Sequence, residues 1–289
     1  MGSSVLLVTA GSHFTLSPPL GLLSLAAVLR PAGFRPEVYD LGVQPGLLPG
    51  LLRRAESPDV LWIGFSSFTS NLPSVTRVAA DVRRHRPDLP LILGGVHATA
   101  LPSETLLSGP WDAVCVGEGE RCVVDVSRRL QGSQALDGIA SLLLRADPTA
   151  PCEPGFVDDL SVLPMAAWDL IDIREYSGTP WQWVKRGRRI ATISTTRGCP
   201  HRCSFCAGRT VGGHRVRHRP VEAVVEELRW LSKVQGVDEF HVLDDNFNGN
   251  LELAKSLLDA VLSAGIRAHW KTPNGIRADG WDLEFIRLA

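Results

Sequence analysis

The chain has 289 residues, 30 Lys and Arg against 31 Asp and Glu, and 44% hydrophobic residues. This length allows two domains, and the hydrophobic content excludes an intrinsically disordered chain. The near-zero net charge argues against a dedicated nucleic-acid-binding protein, which would carry a clear basic excess. No apolar run reaches the ~18 residues of a membrane span, and the first residues lack the basic start of a signal peptide. We therefore expect a cytoplasmic protein with no membrane partner.

The first 146 residues alternate between short apolar strands and helices. This alternation predicts an α/β domain, a doubly wound parallel sheet with helices on both faces and right-handed crossovers. Ligands of such sheets bind at the carboxyl ends of the strands. The predicted strands cover residues 5–8, 35–40, 59–65, 91–93, 113–116 and 139–144, and the predicted helices cover residues 20–29, 71–85 and 120–130.

Residues 147–188 are rich in proline and have no long periodic run. We interpret them as a linker that packs between two domains, because Trp168, Trp181 and Trp183 would be unusual in a free tether. The alternation then resumes as three strand–helix units over residues 189–289. Their strands are predicted at 190–196, 239–243 and 268–271, and their helices at 221–234, 251–264 and 282–288.

Three of the six cysteines lie within eight residues, in the spacing C-x3-C-x2-C over residues 199–206. In a reducing compartment such a cluster indicates metal ligation. Three thiolates on one loop can hold three irons of a [4Fe-4S] cluster and leave the fourth iron open. No cysteine follows Cys206 to close the site as in a ferredoxin. The alternative is a structural zinc site with His201, His214 or His218 as the fourth ligand.

The sequence of this loop, TTRGCPHRCSFC over residues 195–206, resembles the C-x3-C-x-aromatic-C signature of the radical S-adenosylmethionine (SAM) family. The resemblance covers about residues 189–289 and implies a partial radical SAM barrel. In that family the cluster binds SAM and cleaves it reductively to a 5′-deoxyadenosyl radical. By position, Phe205 would lie near the adenine of SAM. The implied cluster ligands are Cys199, Cys203 and Cys206.

Three later residues are expected to contact SAM. Asp244 and Asp245 end the second barrel strand, where sites of barrel folds lie, and Arg277 follows the third strand. A helix-capping turn, with Asn246 or Asn250 as N-cap, is the alternative for this strand end.

Residues 176–221 hold ten of the 30 Lys and Arg and no acidic residue. Such positive charge suits an anionic cluster and the carboxylate of SAM. A nucleic-acid-binding patch is the weaker alternative, because stacking aromatic residues at regular spacing are missing.

The N-terminal domain contains four phrases that together resemble the cobalamin-binding domain found ahead of many radical SAM domains. They are PPLGLLSLAAVLRPAGF (18–34), GFSSFTSN (64–71), GGVHAT (94–99) and GEGE (117–120). The glycines would let a large cofactor approach the backbone, and the polar residues would hydrogen-bond its amides and phosphate. The implied cobalamin-binding residues are Ser66, Thr69, Gly94, Gly95, His97, Thr99, Gly117, Glu118 and Gly119.

The chain departs from many cobalamin proteins in one respect. It lacks the D-x-H-x-x-G motif, which supplies an axial histidine in those proteins, and neither His13 nor His97 lies in such a motif. This agrees with the radical SAM branch, in which cobalamin is often bound without a histidine ligand. It also allows a domain that kept the fold and lost the cofactor, with His97 as a polar loop residue. A methylthiotransferase would have N-terminal cysteines arranged for a second cluster. The three cysteines outside the loop do not have that spacing, and we expect them to be small buried or surface residues: Cys115, Cys122 and Cys152.

The resemblance implies a cobalamin-dependent radical SAM enzyme, most simply a methyltransferase acting on an unactivated carbon or phosphorus. Three alternatives stay open. They are a rearrangement or cyclisation enzyme with cobalamin as electron carrier, a non-catalytic cobalamin-binding fragment, and an RNA-modifying enzyme. The expected partners are a small-molecule or peptide substrate and an external reductant of the flavodoxin or ferredoxin type, with no nucleic acid.

We expect a cobalamin-binding domain over residues 1–146, a linker over 147–188 and a partial radical SAM barrel over 189–289. Radical SAM barrels generally have six strand–helix units, and only three are counted here. We therefore expect that this chain does not turn over substrate alone and needs further residues or a partner chain that supplies the rest of the barrel.

Overall fold

The computed structural model describes residues 2–11, 17–176, 187 and 189–289. The chain divides into two compact units. The first contains the described residues up to position 11, then Pro19–Val157 and Ala166–Ile171, and the second contains Asp158–Met165 and the described residues from Asp172 onward. Within the described residues, none of the helices combines the length and the apolar character that crossing a membrane requires.

The first unit is built on a six-stranded sheet in the order β2-β1-β3-β4-β5-β6. The first five strands are parallel, and their order is that of a flavodoxin-like doubly wound sheet. The predicted fold class is confirmed for this unit. The strands are β1 (Ser4–Thr9), β2 (Arg35–Asp40), β3 (Val60–Ser66), β4 (Leu91–Gly94), β5 (Ala113–Cys115) and β6 (Leu142–Leu144). The helices are α1 (Leu20–Leu29), α2 (Leu48–Ala55), α3 (Leu72–His85), α4 (Val96–Ala100), α5 (Pro102–Ser108) and α6 (Glu120–Gln131).

The central strands are apolar on both faces, as a sheet covered by helices requires. In β1, Leu6 and Val8 belong to one core cluster, whereas Val5 and Leu7 belong to the cluster on the opposite face. All four side chains are fully buried. Sheets of this kind present their binding edge at the carboxyl ends of the strands, where β3, β4 and β5 are followed by the predicted polar and glycine residues.

The last strand of this sheet differs from the prediction. The strand predicted at 139–144 begins only at Leu142, and β6 runs antiparallel to β5. Ser141 has a positive φ of 63°, which is incompatible with an extended strand and reverses the chain just before β6. The all-parallel prediction was therefore wrong at this edge.

A polar network at the amino ends of β1 and β3 gives a pH-dependent prediction. Asp59 accepts hydrogen bonds from Arg54, Ser57, Ser4 and Arg35. The Arg54 guanidinium, followed by the Ser57 hydroxyl, holds the pKa of Asp59 well below its ordinary value of 3.8. A carboxyl group with a lowered pKa in the folded state stabilises the fold above its unfolded pKa, and this contribution is lost as the pH falls.

We expect Asp59→Asn to lower the free energy of unfolding by about 2 kcal/mol at neutral pH, because charged hydrogen bonds with Arg54 are lost. The difference from the wild type should shrink steadily below the ordinary Asp pKa. Urea titrations over a series of pH values measure this difference in the free energy of unfolding. The control is Asp88→Asn, which removes the exposed ion pair with Arg86 and should change stability little at any pH. A pH-independent Asp59 effect would contradict this account.

The second unit contains a parallel three-stranded sheet in the order β11-β10-β7 and a short antiparallel pair, β8 and β9. These strands are β7 (Ile190–Ile193), β8 (Thr196–Arg197), β9 (Arg217–His218), β10 (Glu239–Val242) and β11 (His269–Lys271). The helices are α7 (Gly208–Gly212), α8 (Val221–Trp230), α9 (Leu251–Ser263) and α10 (Leu283–Leu288). The three predicted strand–helix units are present.

Two elements of the second unit differ from the prediction. The strand predicted at 190–196 ends at Ile193, because the backbone N–H of Thr195 bonds to the Asp244 side chain instead of a neighbouring strand. The helix predicted at 221–234 is α-helical to Trp230 and continues as a π-helical turn over Leu231–Gln235.

The predicted linker contains three short 3-10 turns, Leu160–Val162, Trp168–Leu170 and Ile173–Glu175. Trp168 is buried in the first unit, as expected for a packed segment. Trp181 and Trp183 lie outside the described residues.

Candidate cluster and cofactor sites

The cysteine loop is supported at its base by the β8–β9 pair. Gly198 precedes the first cysteine with a φ of 89°, and a Cβ there would lie 2.4 Å from the Arg215 carbonyl oxygen. Only glycine fits this position. Cys199 N–H donates to the Gly213 carbonyl at 3.1 Å, and buried Arg217 donates to the Gly212 carbonyl at 2.7 Å. These bonds fix the start and the end of the loop to each other.

The three thiols project from this loop. Cys199 is half-buried, whereas Cys203 and Cys206 are exposed. The backbone N–H of Gly208 points at the Cys206 sulfur at 3.3 Å, a bond of the kind that supports cluster thiolates. Soft sulfur donors from one loop, with a backbone N–H on one of them, fit an iron–sulfur cluster. Phe205 is 90% exposed beside them.

Among the described residues, no three His, Cys, Asp or Glu side chains converge closely enough to hold a single metal ion. This finding applies equally to the three thiols of the loop and to the histidines offered as zinc ligands, His201, His214 and His218.

Asp244 is buried beneath the loop, with its side chain turned toward the backbone. Its carboxylate accepts the Thr195 N–H at 2.7 Å and the Thr195 hydroxyl. Burial raises the pKa of Asp244 above its ordinary value. These bonds tie the end of β7, where the cysteine loop begins, to the end of β10. Asp244 therefore positions the loop.

Asp245, the next residue, is exposed. A Cβ on Gly212 would lie 2.9 Å from its Oδ2, and a Cβ on Gly208 would lie 3.7 Å from its Oδ1 and 3.3 Å from the Cys206 sulfur. The carboxylate is thus held close to the cysteine loop on the side of Cys206. Its pKa is raised by partial desolvation and by the Asp244 carboxylate.

Arg277 follows β11, and its side chain is paired with a nearby carboxylate. Its guanidinium forms a two-point ion pair with Asp279, at 2.9 and 2.5 Å. The pKa of Arg277 is raised first by Asp279 and further by the thiols of Cys203 and Cys199. Asp245 thus lies beside the cysteine loop, and contacts of Asp245 and Arg277 with SAM stay predictions.

The capping alternative is realised beside this site. Asn250 is the N-cap of α9, where its side chain accepts the Leu253 N–H at 3.2 Å. Asn246 is buried, and its amide nitrogen has no partner among the described residues. Asn248, which no sequence motif marks, bonds through its side chain to the backbone of Arg277.

Some of the basic residues between positions 176 and 221 have a structural role. Arg219 pairs with the buried carboxylate of Glu227 at 2.6 Å and donates to the Ser194 carbonyl. Arg202 and Arg215 are exposed near the cysteine loop. Lys185, Arg186 and Arg188, named in the nucleic-acid alternative, lie outside the described residues.

In the first unit, the predicted polar residues meet at the carboxyl edge of the sheet. Thr69 Oγ1 and His97 Nδ1 are 3.0 Å apart, which joins the loops after β3 and β4. The Gly117 N–H donates to Thr99 Oγ1 at 2.9 Å, which joins the loops after β4 and β5. His97 is buried, with 7% of its surface exposed, whereas Ser66 is half-buried. His13 lies outside the described residues.

Two of the predicted glycines are required by the packing of the chain itself. Gly95 has a φ of 95°, and a Cβ there would lie 2.7 Å from the Ser67 carbonyl oxygen. At Gly117, with a φ of 87°, a Cβ would lie 2.4 Å from the Gly155 carbonyl oxygen. This intramolecular reason was not foreseen, and a contact of these glycines with a cofactor stays a prediction.

Three other predicted cobalamin-binding residues differ in how closely the chain packs around them. A Cβ on Gly94 would make only ordinary contacts, whereas one on Gly119 would lie 3.1 Å from Leu25. The Glu118 carboxylate accepts the Val157 N–H at 2.6 Å.

One polar group at this edge has no protein partner. The hydroxyl of Ser67 is buried without a hydrogen bond among the described residues. An orphaned buried hydroxyl between polar neighbours fits a ligand rich in hydrogen-bonding groups. The residues present at this edge therefore fit a cofactor such as cobalamin.

The other cysteines lie apart from the loop. Cys115 and Cys122 are buried in the apolar core of the first unit, and Cys152 is half-buried. A hydrogen bond with Cys115, together with burial, raises the pKa of Cys122. Such buried thiols are unreactive.

Comparison with known proteins identifies both units. The B12 binding domain model matches residues 5–127, and the Radical SAM superfamily model matches residues 193–287. The chain is 30% identical over 256 residues to the anaerobic magnesium-protoporphyrin IX monomethyl ester cyclase of Synechocystis sp., covering 86% of this chain and 49% of that protein. It is 28% identical to the cytidylyl-2-hydroxyethylphosphonate methyltransferase of Streptomyces wedmorensis, covering 93% of this chain and 58% of that protein.

A solved structure supports the fold. The radical S-adenosylmethionine methyltransferase TsrM of Kitasatospora setae, solved with cobalamin and a [4Fe-4S] cluster bound, aligns with a TM-score of 0.76 at 21% identity. The alignment covers 100% of this chain and 57% of that one. The chain thus spans about half to three fifths of the length of these proteins. The chain therefore contains a B12 binding domain followed by a radical SAM domain.

Proposed function

We propose that the chain is part of a cobalamin-dependent radical SAM methyltransferase that acts on an unactivated carbon or phosphorus. The observation behind this proposal is the three-thiol loop, with Cys203 and Cys206 exposed and the Asp245 carboxylate beside it. We further propose residues 1–146 as the cobalamin domain, 147–188 as the linker and 189–289 as the partial barrel.

The charged residues around the loop suit the amino-acid end of SAM. The exposed Asp245 carboxylate would hold the ammonium group, and Arg277 would hold the carboxylate, since each charge attracts its opposite in a partly desolvated site. Asp244 holds the loop in place from below. Phe205 would contact the adenine. The residues that would hold the [4Fe-4S] cluster are Cys199, Cys203 and Cys206.

The carboxyl edge of the first sheet would hold cobalamin. Ser66, Ser67 and Thr69 offer hydroxyl groups there, and Thr99 fixes the glycine loop after β5. His97 is bonded to Thr69 through Nδ1. We propose that this pair keeps His97 as a polar contact and that cobalt has no histidine ligand. Gly94, Gly95, Gly117, Glu118 and Gly119 would shape the rest of this edge.

When bound, the cluster supplies an electron for SAM cleavage, and cobalamin supplies a methyl group. The electron must come from outside, so we propose an external reductant of the flavodoxin or ferredoxin type. The exposed side chains of Arg202 and Arg215 near the loop would attract the acidic surface of such a partner. We propose a small molecule or peptide as substrate, and a chain or further residues that supply the rest of the barrel.

The names of the relatives favour methyl transfer. The protein from S. wedmorensis and the fold neighbour TsrM are both named methyltransferases. The relative from Synechocystis is named a cyclase, so radical cyclisation with cobalamin as electron carrier is the second candidate.

A methyl-labelling experiment separates the two candidates. The chain, reconstituted with iron, sulfide and cobalamin, is reduced and given SAM with a deuterated methyl group. Methyl transfer predicts that cobalamin extracted in the dark has gained the deuterated methyl group, as measured by mass spectrometry. Heat-denatured protein with the same additions is the control. Unlabelled cobalamin, with SAM still consumed, would favour the cyclase.

A further inference from the structure

Glu118 lies in the middle of the glycine loop, residues 117–119 after β5, and its carboxylate bonds to a distant part of the same chain. Its Oε2 accepts the backbone N–H of Val157 at 2.6 Å, across 39 residues of sequence. Only 2% of the surface of Val157 is exposed, so the bond joins a charged group to a buried donor. The carboxylate thereby attaches residues 155–157, the clamped segment, to the glycine loop.

The backbones of the glycine loop and of the clamped segment pair with each other like neighbouring strands. The Glu118 N–H donates to the Gly155 carbonyl at 2.7 Å, and the Gly155 N–H donates to the Val116 carbonyl at 3.0 Å. Gly117 and Gly155 form a parallel β-bridge. The pairing requires glycine in both chains, because a Cβ on Gly117 would overlap the Gly155 carbonyl and a Cβ on Gly155 would overlap the Ser141 hydroxyl.

The glycine loop is also bonded to the predicted cofactor edge of the sheet. The Gly117 N–H donates to Thr99 Oγ1 at 2.9 Å, and the loop that carries Thr99 is joined to the loop after β3 through His97 and Thr69. One loop is therefore shared between the edge and the clamped segment. Two groups that hold the same loop strengthen each other, because the second to bind finds the loop already ordered and loses less conformational entropy.

The clamped segment ends where the chain leaves the first unit. Val157 belongs to the first unit, and the chain passes into the second unit at Asp158. The order of the glycine loop is therefore linked, through three backbone positions, to the residue at which the chain enters the second unit.

We propose that Glu118 is a positioning residue, which holds the clamped segment on the glycine loop, and that this clamp and the binding of cobalamin at the edge favour each other. The second half rests on the proposed function, namely cobalamin binding at this edge. Because linkage is reciprocal, the clamp raises the affinity for the cofactor by the same factor by which bound cofactor stabilises the clamp. Glu118 then acts through the backbone of the loop.

The first part of the test uses the full chain without cofactor. Hydrogen exchange measured by mass spectrometry reports the Val157 amide. In Glu118→Ala we expect exchange of the peptide that contains residue 157 to accelerate about tenfold, the factor that corresponds to one lost hydrogen bond to a charged group. Glu118→Gln keeps an acceptor of the same reach and should accelerate exchange less. Unchanged exchange in Glu118→Ala would overturn the clamp.

Two further variants separate the clamp from a general loss of stability. Gly155→Ala breaks the pairing from the other chain and should accelerate the same exchange with Glu118 still present. Glu153→Ala is the matched control, because it removes an exposed carboxylate just ahead of the clamped segment and should leave exchange unchanged. The clamp predicts faster exchange at residue 157 with no change in β1 and β3. Equal acceleration throughout the first unit would show a general loss of stability and contradict it.

The second part adds hydroxocobalamin to the full chain. Equilibrium dialysis measures its dissociation constant, and hydrogen exchange is repeated on the bound chain. We expect binding to slow exchange at residue 157 in the wild type, and Glu118→Ala to bind about fivefold more weakly. In Glu118→Ala, bound hydroxocobalamin should still slow exchange around His97 but no longer at residue 157.

The outcomes are distinguishable. A direct contact of Glu118 with the cofactor predicts weaker binding in Glu118→Ala with unchanged exchange in the cofactor-free chain, and this result would overturn the positioning role. Accelerated exchange with an unchanged dissociation constant would overturn the coupling. A wild type that binds no hydroxocobalamin contradicts the proposed function of this unit together with the coupling, whereas exchange in the cofactor-free chain still decides the clamp.

Discussion

We expect Cys203→Ala to abolish iron retention by the reconstituted chain. The wild type should hold about four irons per chain with broad absorbance near ~400 nm, as a [4Fe-4S] cluster on thiolates does. Cys203 stands between the other two cysteines of the loop, and its side chain is exposed rather than packed in a core. Its removal therefore takes away a ligand without creating a cavity. Iron and sulfide analysis after anaerobic reconstitution and gel filtration measures the effect.

The matched control is Cys152→Ala. This cysteine is half-buried in the first unit and packs beside its core. It should keep the full iron content of the wild type. Stoichiometric zinc without iron in the wild type would contradict the assignment and support the zinc alternative.

We expect Asp244→Ala to cause the largest loss of stability among the site residues. Only 2% of the surface of this residue is exposed, and its carboxylate accepts the N–H and the hydroxyl of Thr195. Alanine leaves both donors buried and unpaired, at a cost of about 3 kcal/mol in the free energy of unfolding. It also frees the end of β7, so iron retention should fall with stability. Urea unfolding followed by circular dichroism, together with iron analysis, tests both effects.

Asp245→Ala serves as the matched control for Asp244. It removes the same chemical group from the adjacent position, but the side chain is exposed and has no ion-pair partner among the described residues. Its effect on stability should stay within about 0.5 kcal/mol. Equal losses from the two variants would show that the difference in burial has no consequence.

The first sheet was largely predictable because its strands are buried on both faces. Continuous apolar runs such as 5–8 and 59–65 lie within one residue of the observed β1 and β3. The helix α2 was missed because its sequence, LPGLLRRA, contains proline and glycine near its start and is only eight residues long. The reversal before β6 depends on the single residue Ser141 in a left-handed conformation, for which the sequence has no signal.

The site was predictable where residue type and spacing determine chemistry, as in the three cysteines. The difference in burial between Asp244 and Asp245 could not be predicted, because it depends on which carboxylate turns toward Thr195. Asn248 was missed because its partners are 29 and 32 residues away. Local patterns cannot reveal such contacts, which arise only when the loops after β10 and β11 meet. At Gly95 and Gly117 the residue type was noticed, but its intramolecular cause lay in distant backbone.

The central claim is that three thiols leave one iron open for SAM. Electron paramagnetic resonance of the dithionite-reduced, reconstituted chain tests it most directly, recorded before and after addition of SAM. Because SAM would coordinate the open iron between Asp245 and Arg277, the account predicts that the g-values of the reduced cluster shift when SAM is added. A spectrum that SAM leaves unchanged, in protein with its full iron content, would contradict the account.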